Sequence, residues 1–139
     1  MKVFVDTSGF YAHACKSDDA HKEVIEVFRD LGTRQAVLVT NSYVLSETMG
    51  LLQIRHGFTA VSQFVANVVP LIRVLWVQQS DHEQAWSLMQ REQKRHLTIV
   101  DASAMVMMTR ESIRSCVGLD LEFRRQGFVL LPEERALKA

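Results

Sequence analysis

Met1-Lys2-Val3-Phe4-Val5-Asp6-Thr7-Ser8-Gly9 opens the chain, and its reading decides the fold. Val3-Phe4-Val5 is a β-branched and aromatic run too short for a helix, so it reads as a buried strand. Asp6-Thr7-Ser8-Gly9 stops that strand and leaves a carboxylate at its carboxyl end. Further along, short apolar runs recur between stretches of helical spacing. Val37-Leu38-Val39 and Leu71 to Val77 read as strands, as do Ser115-Cys116-Val117-Gly118-Leu119, closed by Asp120, and Phe128-Val129-Leu130-Leu131 before Pro132.

The stretches between them carry apolar residues three and four apart. From Asp18 to Leu31, Ala20, Val24, Ile25, Val27, Phe28 and Leu31 form one face, with Gly32 in the place of a C-terminal cap. Ser42 to about Arg55 is helical and ended by Gly57, and Thr59 to Val69 is a further helix stopped by Pro70. Ser80-Asp81-His82-Glu83 reads as a capping box ahead of a helix carrying Ala85, Trp86, Leu88 and Met89. Thr98-Ile99-Val100-Asp101 opens another, and a short helix runs through Arg125 to Gly127. Strands alternating with helices predict an α/β fold with a mostly parallel, doubly wound sheet, in which function collects at the carboxyl ends of the strands.

Composition limits what such a fold does. The 139 residues suit one domain, and 47% hydrophobic with 23% charged residues excludes disordered and low-complexity classes. Lys+Arg and Asp+Glu are both 16, so any nucleic-acid contact must come from a local patch. Cys15 and Cys116 lack CxxC spacing, which argues against a zinc ribbon or disulfide scaffold and fits a reducing cytoplasm. An acid after three apolar residues at the N-terminus does not read as a signal peptide. No apolar run approaches about 18 residues, so no membrane span is expected.

Four acids stand out by position. Asp6 and Asp120 each follow a strand, Asp101 lies in a first helical turn, and Glu47 sits mid-helix beside the apolar Val44 and Leu51. Each has a plain structural reading: an Asx-turn or N-cap for Asp6 and Asp120, half of a capping box for Asp101, a helix flank for Glu47. A doubly wound sheet gathers all four on one edge. There each like-charge pair at 4 Å costs about 4 kcal/mol at an effective dielectric near 20. Such a cluster needs cations or raised pKa values. Hard oxygen ligands without nearby histidine or cysteine select Mg²⁺ or Mn²⁺, and an acid-rich site for these ions serves phosphoryl chemistry.

The same residues resemble the PIN-domain family, and within it the VapC-like toxin ribonucleases. Val5-Asp6-Thr7-Ser8 is similar to the family's first motif, and Thr40-Asn41-Ser42-Tyr43-Val44-Leu45-Ser46-Glu47 to its second. Leu97-Thr98-Ile99-Val100-Asp101-Ala102 resembles the third. Gly118-Leu119-Asp120-Leu121-Glu122-Phe123, running on to Gly127-Phe128, resembles the fourth. Two positions depart from the pattern. Gly118 and Leu119 stand where the family usually has a hydroxyl residue and an aromatic, and Glu122 stands where histidine or aspartate is common. The likeness runs from Lys2 to about Leu131 in order and spacing. It implies a three-layer α/β/α sandwich, one domain over residues 1–131 with a C-terminal tail at 132–139, and a Mg²⁺- or Mn²⁺-dependent endoribonuclease. By matching positions, Asp6, Glu47, Asp101 and Asp120 become the catalytic, metal-binding acids and Ser8 a supporting hydroxyl. The toxin likeness implies an RNA substrate, an antitoxin partner whose tail lies across the acidic site, and a homodimer. Phe58, Phe64, Val65 and Val68 are apolar residues that a small domain has too little sheet to cover.

Other features read more plainly. His13, His21, His56, His82 and His96 form no HxH or HExxH and are expected to face solvent. Met105, Met107 and Met108 have helical spacing and read as core. Arg91 to His96 and Arg110, Arg114, Arg124 and Arg125 are solvated faces or RNA-backbone contacts. No aromatic run interleaves these arginines, and GxxxxGK is absent, which argues against an NTPase. An aspartyl-phosphate phosphohydrolase would need a second aspartate where Ser8 stands. A non-toxin nuclease of the same fold, or a catalytically silent binding protein, remains as an alternative.

Overall fold

The computed structural model describes residues 1–133. The expected tail at 132–139 therefore lies, from 134 onward, outside the described residues. In chain order the elements are β1 (Lys2–Val5), α1 (Thr7–Ala14), α2 (His21–Thr33), β2 (Val37–Asn41), α3 (Ser42–His56), α4 (Phe58–Asn67), β3 (Arg73–Leu75), α5 (Gln79–Glu92), α6 (Ile99–Arg110), β4 (Ser115–Val117), α7 (Glu122–Arg125) and β5 (Val129–Leu131). The strands form one sheet of order β3-β2-β1-β4-β5, every pair parallel, with helices on both sides. This is the expected α/β/α sandwich, with a sheet that is wholly rather than mostly parallel.

The topology fixes where a site can form. The connections β1–β2 and β2–β3 step one way along the sheet; β3–β4 and β4–β5 step the other way. The chain therefore diverges above the carboxyl ends of β1 and β4, the switch point where open parallel sheets bind ligands. Asp6 leaves β1 at this point, and its amide donates to Val117 O at the end of β4 (3.0 Å).

The core lies on both faces of the sheet. Val3, Phe4 and Val5 are fully buried, as a strand covered on two sides requires. Phe10 of α1 meets Phe64 of α4 edge to face at 5.3 Å. Seven of the twelve residues of α6 are buried, including Met105, Met107 and Met108, which confirms these methionines as core. A helix so enclosed shows no strong polar face. Among the described residues no helix is long and apolar enough to cross a membrane.

Several local expectations are corrected. Asp6-Thr7-Ser8-Gly9 ends β1 as expected, but Thr7-Ser8-Gly9 does so as the first turn of α1, a helix the sequence did not announce. Gly9 makes this packing feasible, because a Cβ there would lie 2.5 Å from Val117 O. Gly9→Ala is expected to destabilise the protein by about 1–3 kcal/mol through overpacking, read as a lower midpoint in urea unfolding. The helix expected from Asp18 starts at His21, since Asp18 instead accepts from the Ala20 amide (2.9 Å). Gly32 lies inside that helix, whose C-cap is Arg34, and Gln35 takes the left-handed conformation (φ 56°).

Near β3, the helix expected over Thr59 to Val69 is α4, and Val69–Leu71 forms a separate 3-10 turn around Pro70. The strand expected from Leu71 is therefore only Arg73–Leu75. The box expected at Ser80 and Glu83 lies two residues earlier: Gln78 N donates to Asp81 Oδ2 (2.9 Å). Asp81 is 1% exposed and also takes the Arg110 guanidinium at the end of α6. The same carboxylate thus closes the start of α5 and joins it to the end of α6.

Candidate active site

Asp6 occupies the N-cap position of α1, but its side chain makes no capping bond. Its carboxylate is buried, and Oδ2 accepts from Ser8 Oγ (3.2 Å). The same Ser8 oxygen accepts from the Leu119 amide (2.9 Å), so one hydroxyl ties the end of β1 to the loop after β4. Gly118 permits this closeness: a Cβ there would stand 3.1 Å from Ser8 Oγ and 3.2 Å from Asp6 Cβ. A hydroxyl residue at 118 would crowd the acid, so here the support at this corner comes from Ser8.

Asp101 is buried at the start of α6. Thr98 Oγ1 accepts from Asp101 N (3.2 Å), while Asp101 Oδ2 accepts from Thr98 N (3.1 Å) and from the Thr98 hydroxyl (3.0 Å). The capping-box reading is therefore correct and does not compete with a role in the site, because Oδ1 is outside these bonds. Asp120 is half-buried, and its Oδ1 accepts from Glu122 N (2.9 Å) as α7 begins. Glu47 is exposed on α3.

Electrostatics shows that the four acids share one locality. Burial pushes the Asp6 carboxyl up to about 7, helped by the charges of Asp101 and Glu47 and only partly offset by the Thr7 amide and Ser8. Burial likewise raises Asp101 to about 6, with Asp120 and Glu47 adding repulsion against the bonds from Thr98. The Cys116 thiol on β4, beneath them, is pushed well up by burial and then by Asp6, Asp101 and Asp120. Among the described residues, however, no three histidine, cysteine or acidic side chains converge into a ready-made metal cage.

Two buried oxygens in this corner, Asp6 Oδ1 and Thr7 Oγ1, have no hydrogen-bond partner. An ionised carboxylate oxygen buried without a donor is costly unless a cation meets it. Mg²⁺ commonly uses only one or two carboxylates and completes its shell with water and phosphate oxygens. The donor set of Asp6 and Asp101, flanked by Asp120 and Glu47, therefore fits such an ion without a preformed cage.

Glu122 is different. Its carboxylate is 5% exposed and already engaged by Lys94 Nζ (2.9 Å), Gln126 Nε2 (3.0 Å) and Arg125 (3.5 Å). Against the upward push of burial, these donors hold it below the usual carboxylate range. A groove of about 730 Å³ lies elsewhere, between α2 and the starts of β1, β4 and β5, and contains none of the four acids.

Comparisons with known proteins bear on the family and the fold. The chain is 32% identical over 128 residues to the 23S rRNA-specific endonuclease VapC20 of Mycobacterium tuberculosis, covering 91% of this chain and 95% of that protein. This chain belongs to the VapC-like PIN-domain toxin family. No protein-family model matches it. The crystal structure of VapC20, described as a sarcin-ricin-loop-cleaving toxin, superposes with a TM-score of 0.80 at 30% identity over 91% of this chain and 96% of that one. VapBC2 of Rickettsia felis, bound to a promoter DNA fragment, shares the fold (TM-score 0.70, 14% identity, 94% and 97% coverage).

Within this VapC-like frame one supporting bond, from Asn41 to Ser103, escaped the sequence reading. Asn41 is fully buried; its Oδ1 caps α3 through Val44 N (2.9 Å), and its Nδ2 donates to Ser103 Oγ on α6 (3.1 Å). It thereby ties the helix carrying Glu47 to the helix carrying Asp101. Its only local signal was a polar residue between a strand and a helix. Among the described residues, no histidine is hydrogen-bonded or ion-paired to the four acids. His56 and His82 are exposed and pair with Tyr11 (2.8 Å) and Tyr43 (2.6 Å), whereas His13 and His21 are half-buried rather than solvent-facing.

Proposed function

We propose that this VapC-like ribonuclease is a Mg²⁺- or Mn²⁺-dependent endoribonuclease acting as the toxin of a toxin–antitoxin pair. The observation that carries the metal is the buried, partnerless Oδ1 of Asp6 beside a second buried acid, Asp101. Asp6 and Asp101 would hold the ion, with Asp120 and Glu47 at its margin. Bound there, a divalent cation would polarise the scissile phosphate and ease deprotonation of an attacking water. Glu47, exposed on α3, would orient that water and accept its proton. Ser8 and Thr98 hold Asp6 and Asp101 in fixed orientations, which supplies the preorganisation that charge stabilisation requires.

The likeness to VapC20 makes 23S rRNA the first substrate to test. Purified protein is expected to cut this RNA with Mn²⁺ and to leave it intact in EDTA. Cleavage undiminished in EDTA would remove the metal from the reading. The neighbours that are toxin–antitoxin complexes support an antitoxin partner, and an arginine fork inserted among the acids would neutralise them.

A homodimer also belongs to this proposal, with its face redrawn. Phe64 is buried against Phe10 in its own chain and Val68 is half-buried, whereas Ile54 (87%) and Phe58 (73%) are exposed near the α3–α4 corner. Phe58→Asp is expected to halve the mass measured by light scattering at micromolar concentration. A wild-type mass already that of one chain would refute the dimer.

A further inference from the structure

Unlike Asp6 and Asp101, the buried Glu122 has donors on both of its carboxylate oxygens. Its two oxygens are reached from two separate segments: Lys94, in the connection between α5 and α6, and Arg125, on α7. Gln126 bonds both Glu122 and Glu92, and Lys94 also lies 3.8 Å from the Glu92 carboxylate, closing the network from the α7 side. The carboxylate is turned inward at 6% side-chain exposure, while the Lys94 and Arg125 side chains are 43% and 61% exposed. Each cation therefore keeps donors facing solvent. Arg91 and Arg95, on the same stretch as Lys94, are exposed and make no ion pair among the described residues.

The location matters because the four acids repel a polyanion. The chain has no net charge to offset that repulsion, so a polynucleotide must be drawn in by cations held close by. Lys94 leads within one short connection into Asp101, and Glu122 follows Asp120 by two residues. The cations that Glu122 gathers thus flank the segments that deliver two of the acids.

We propose that Glu122 is a positioning residue whose buried carboxylate gathers Lys94 and Arg125 into one cationic rim that binds the phosphodiester backbone of RNA beside the acidic site. The inference rests on the ribonuclease reading and adds to it the surface that holds the substrate. A Glu122 engaged in this way does not serve as a metal ligand, although it lies next to one of the four acids.

The test turns on a sign. Glu122→Gln raises the net charge by one, so if the residue acted only as a charge, RNA binding would tighten. As the anchor of the rim, its loss frees Lys94 and Arg125 and weakens binding. Anisotropy of a labelled single-stranded RNA, in EDTA and across about 50 to 200 mM salt, reads both effects. Lys94→Ala and Arg125→Ala are each expected to weaken binding roughly three- to tenfold and to reduce the slope of log K against log salt by about 0.7. Glu122→Gln is expected to weaken binding within the same range, and its loss in cleavage assays falls in KM rather than kcat.

Tighter or equal RNA binding by a folded Glu122→Gln, with its Mn²⁺-induced thermal shift intact, would overturn the proposal. So would unchanged salt slopes in the two alanine variants. They alter exposed side chains and carry the test if the Glu122 variant fails to fold. Displacement of RNA by poly-glutamate at equal charge concentration would point to an acidic protein and overturn it too. The two readings separate cleanly. Rim variants that bind like wild type in an enzyme that cuts RNA refute only the rim, whereas RNA bound through the rim but never cut refutes the nuclease.

Discussion

Asp101→Asn is expected to lower RNA cleavage at least about 100-fold, the scale of metal and preorganised electrostatic effects. The substitution keeps shape. An amide oxygen can still accept from Thr98 N, so the start of α6 should stay capped. What disappears is the charge, in an acid that burial and repulsion from Asp120 and Glu47 already disfavour. Thermal stability of the metal-free protein should therefore hold or rise while activity collapses. The measurement is single-turnover cleavage, with Mn²⁺, of an RNA that the wild type cuts, alongside a melting curve of each protein. Full activity in purified Asp101→Asn would remove Asp101 from the site.

The second large effect concerns Asp6 and pH. Its native pKa of about 7 lies above the ordinary 3.8, so the folded protein binds this proton more tightly than the unfolded chain does. The resulting stabilisation is full below the unfolded value and is lost as pH rises through about 7, a change of about 4 kcal/mol. Metal-free wild type should thus lose stability between pH 4 and 8 from this group, and Asp6→Asn should flatten that part of the profile. Mn²⁺ should act in the opposite sense, because binding requires the ionised carboxylate, so its thermal shift should grow as pH rises. In Asp6→Asn the shift should vanish. Urea unfolding at several pH values with and without Mn²⁺ reads both. A persistent metal shift in the variant would move the ion elsewhere.

The sequence made the edge of the sheet legible because strand ends are announced locally: an apolar run, then an acid. Asp6 and Asp120 were visible in that way, and Asp101 through its box with Thr98. Illegible were the features that distant residues decide. α1 begins at Thr7 in a stretch that looks like a turn, because Gly9 can press against the carbonyl of Val117. α5 begins at Gln79, where Asp81 closes a box with Gln78 and also meets Arg110 from the far end of α6. The bond from Asn41 to Ser103 spans 62 residues and follows no period that a sequence window can register. The missing hydroxyl before Asp120 looked like an absent support. Ser8, arriving from the other side of the switch point, bonds the Leu119 amide in its place.

The enclosure of α6 bears on how the site endures its own charge. Asp101 rides on a helix with seven buried residues, fastened by Asn41 to the neighbouring α3. Exposed acids that repel one another can drift apart by rotating into water; this one has no such freedom. Hydrogen exchange along the interior of α6 is therefore expected to be among the slowest in the protein. Crowding among the acids is then expected to be relieved by taking up protons or a cation rather than by movement of α6.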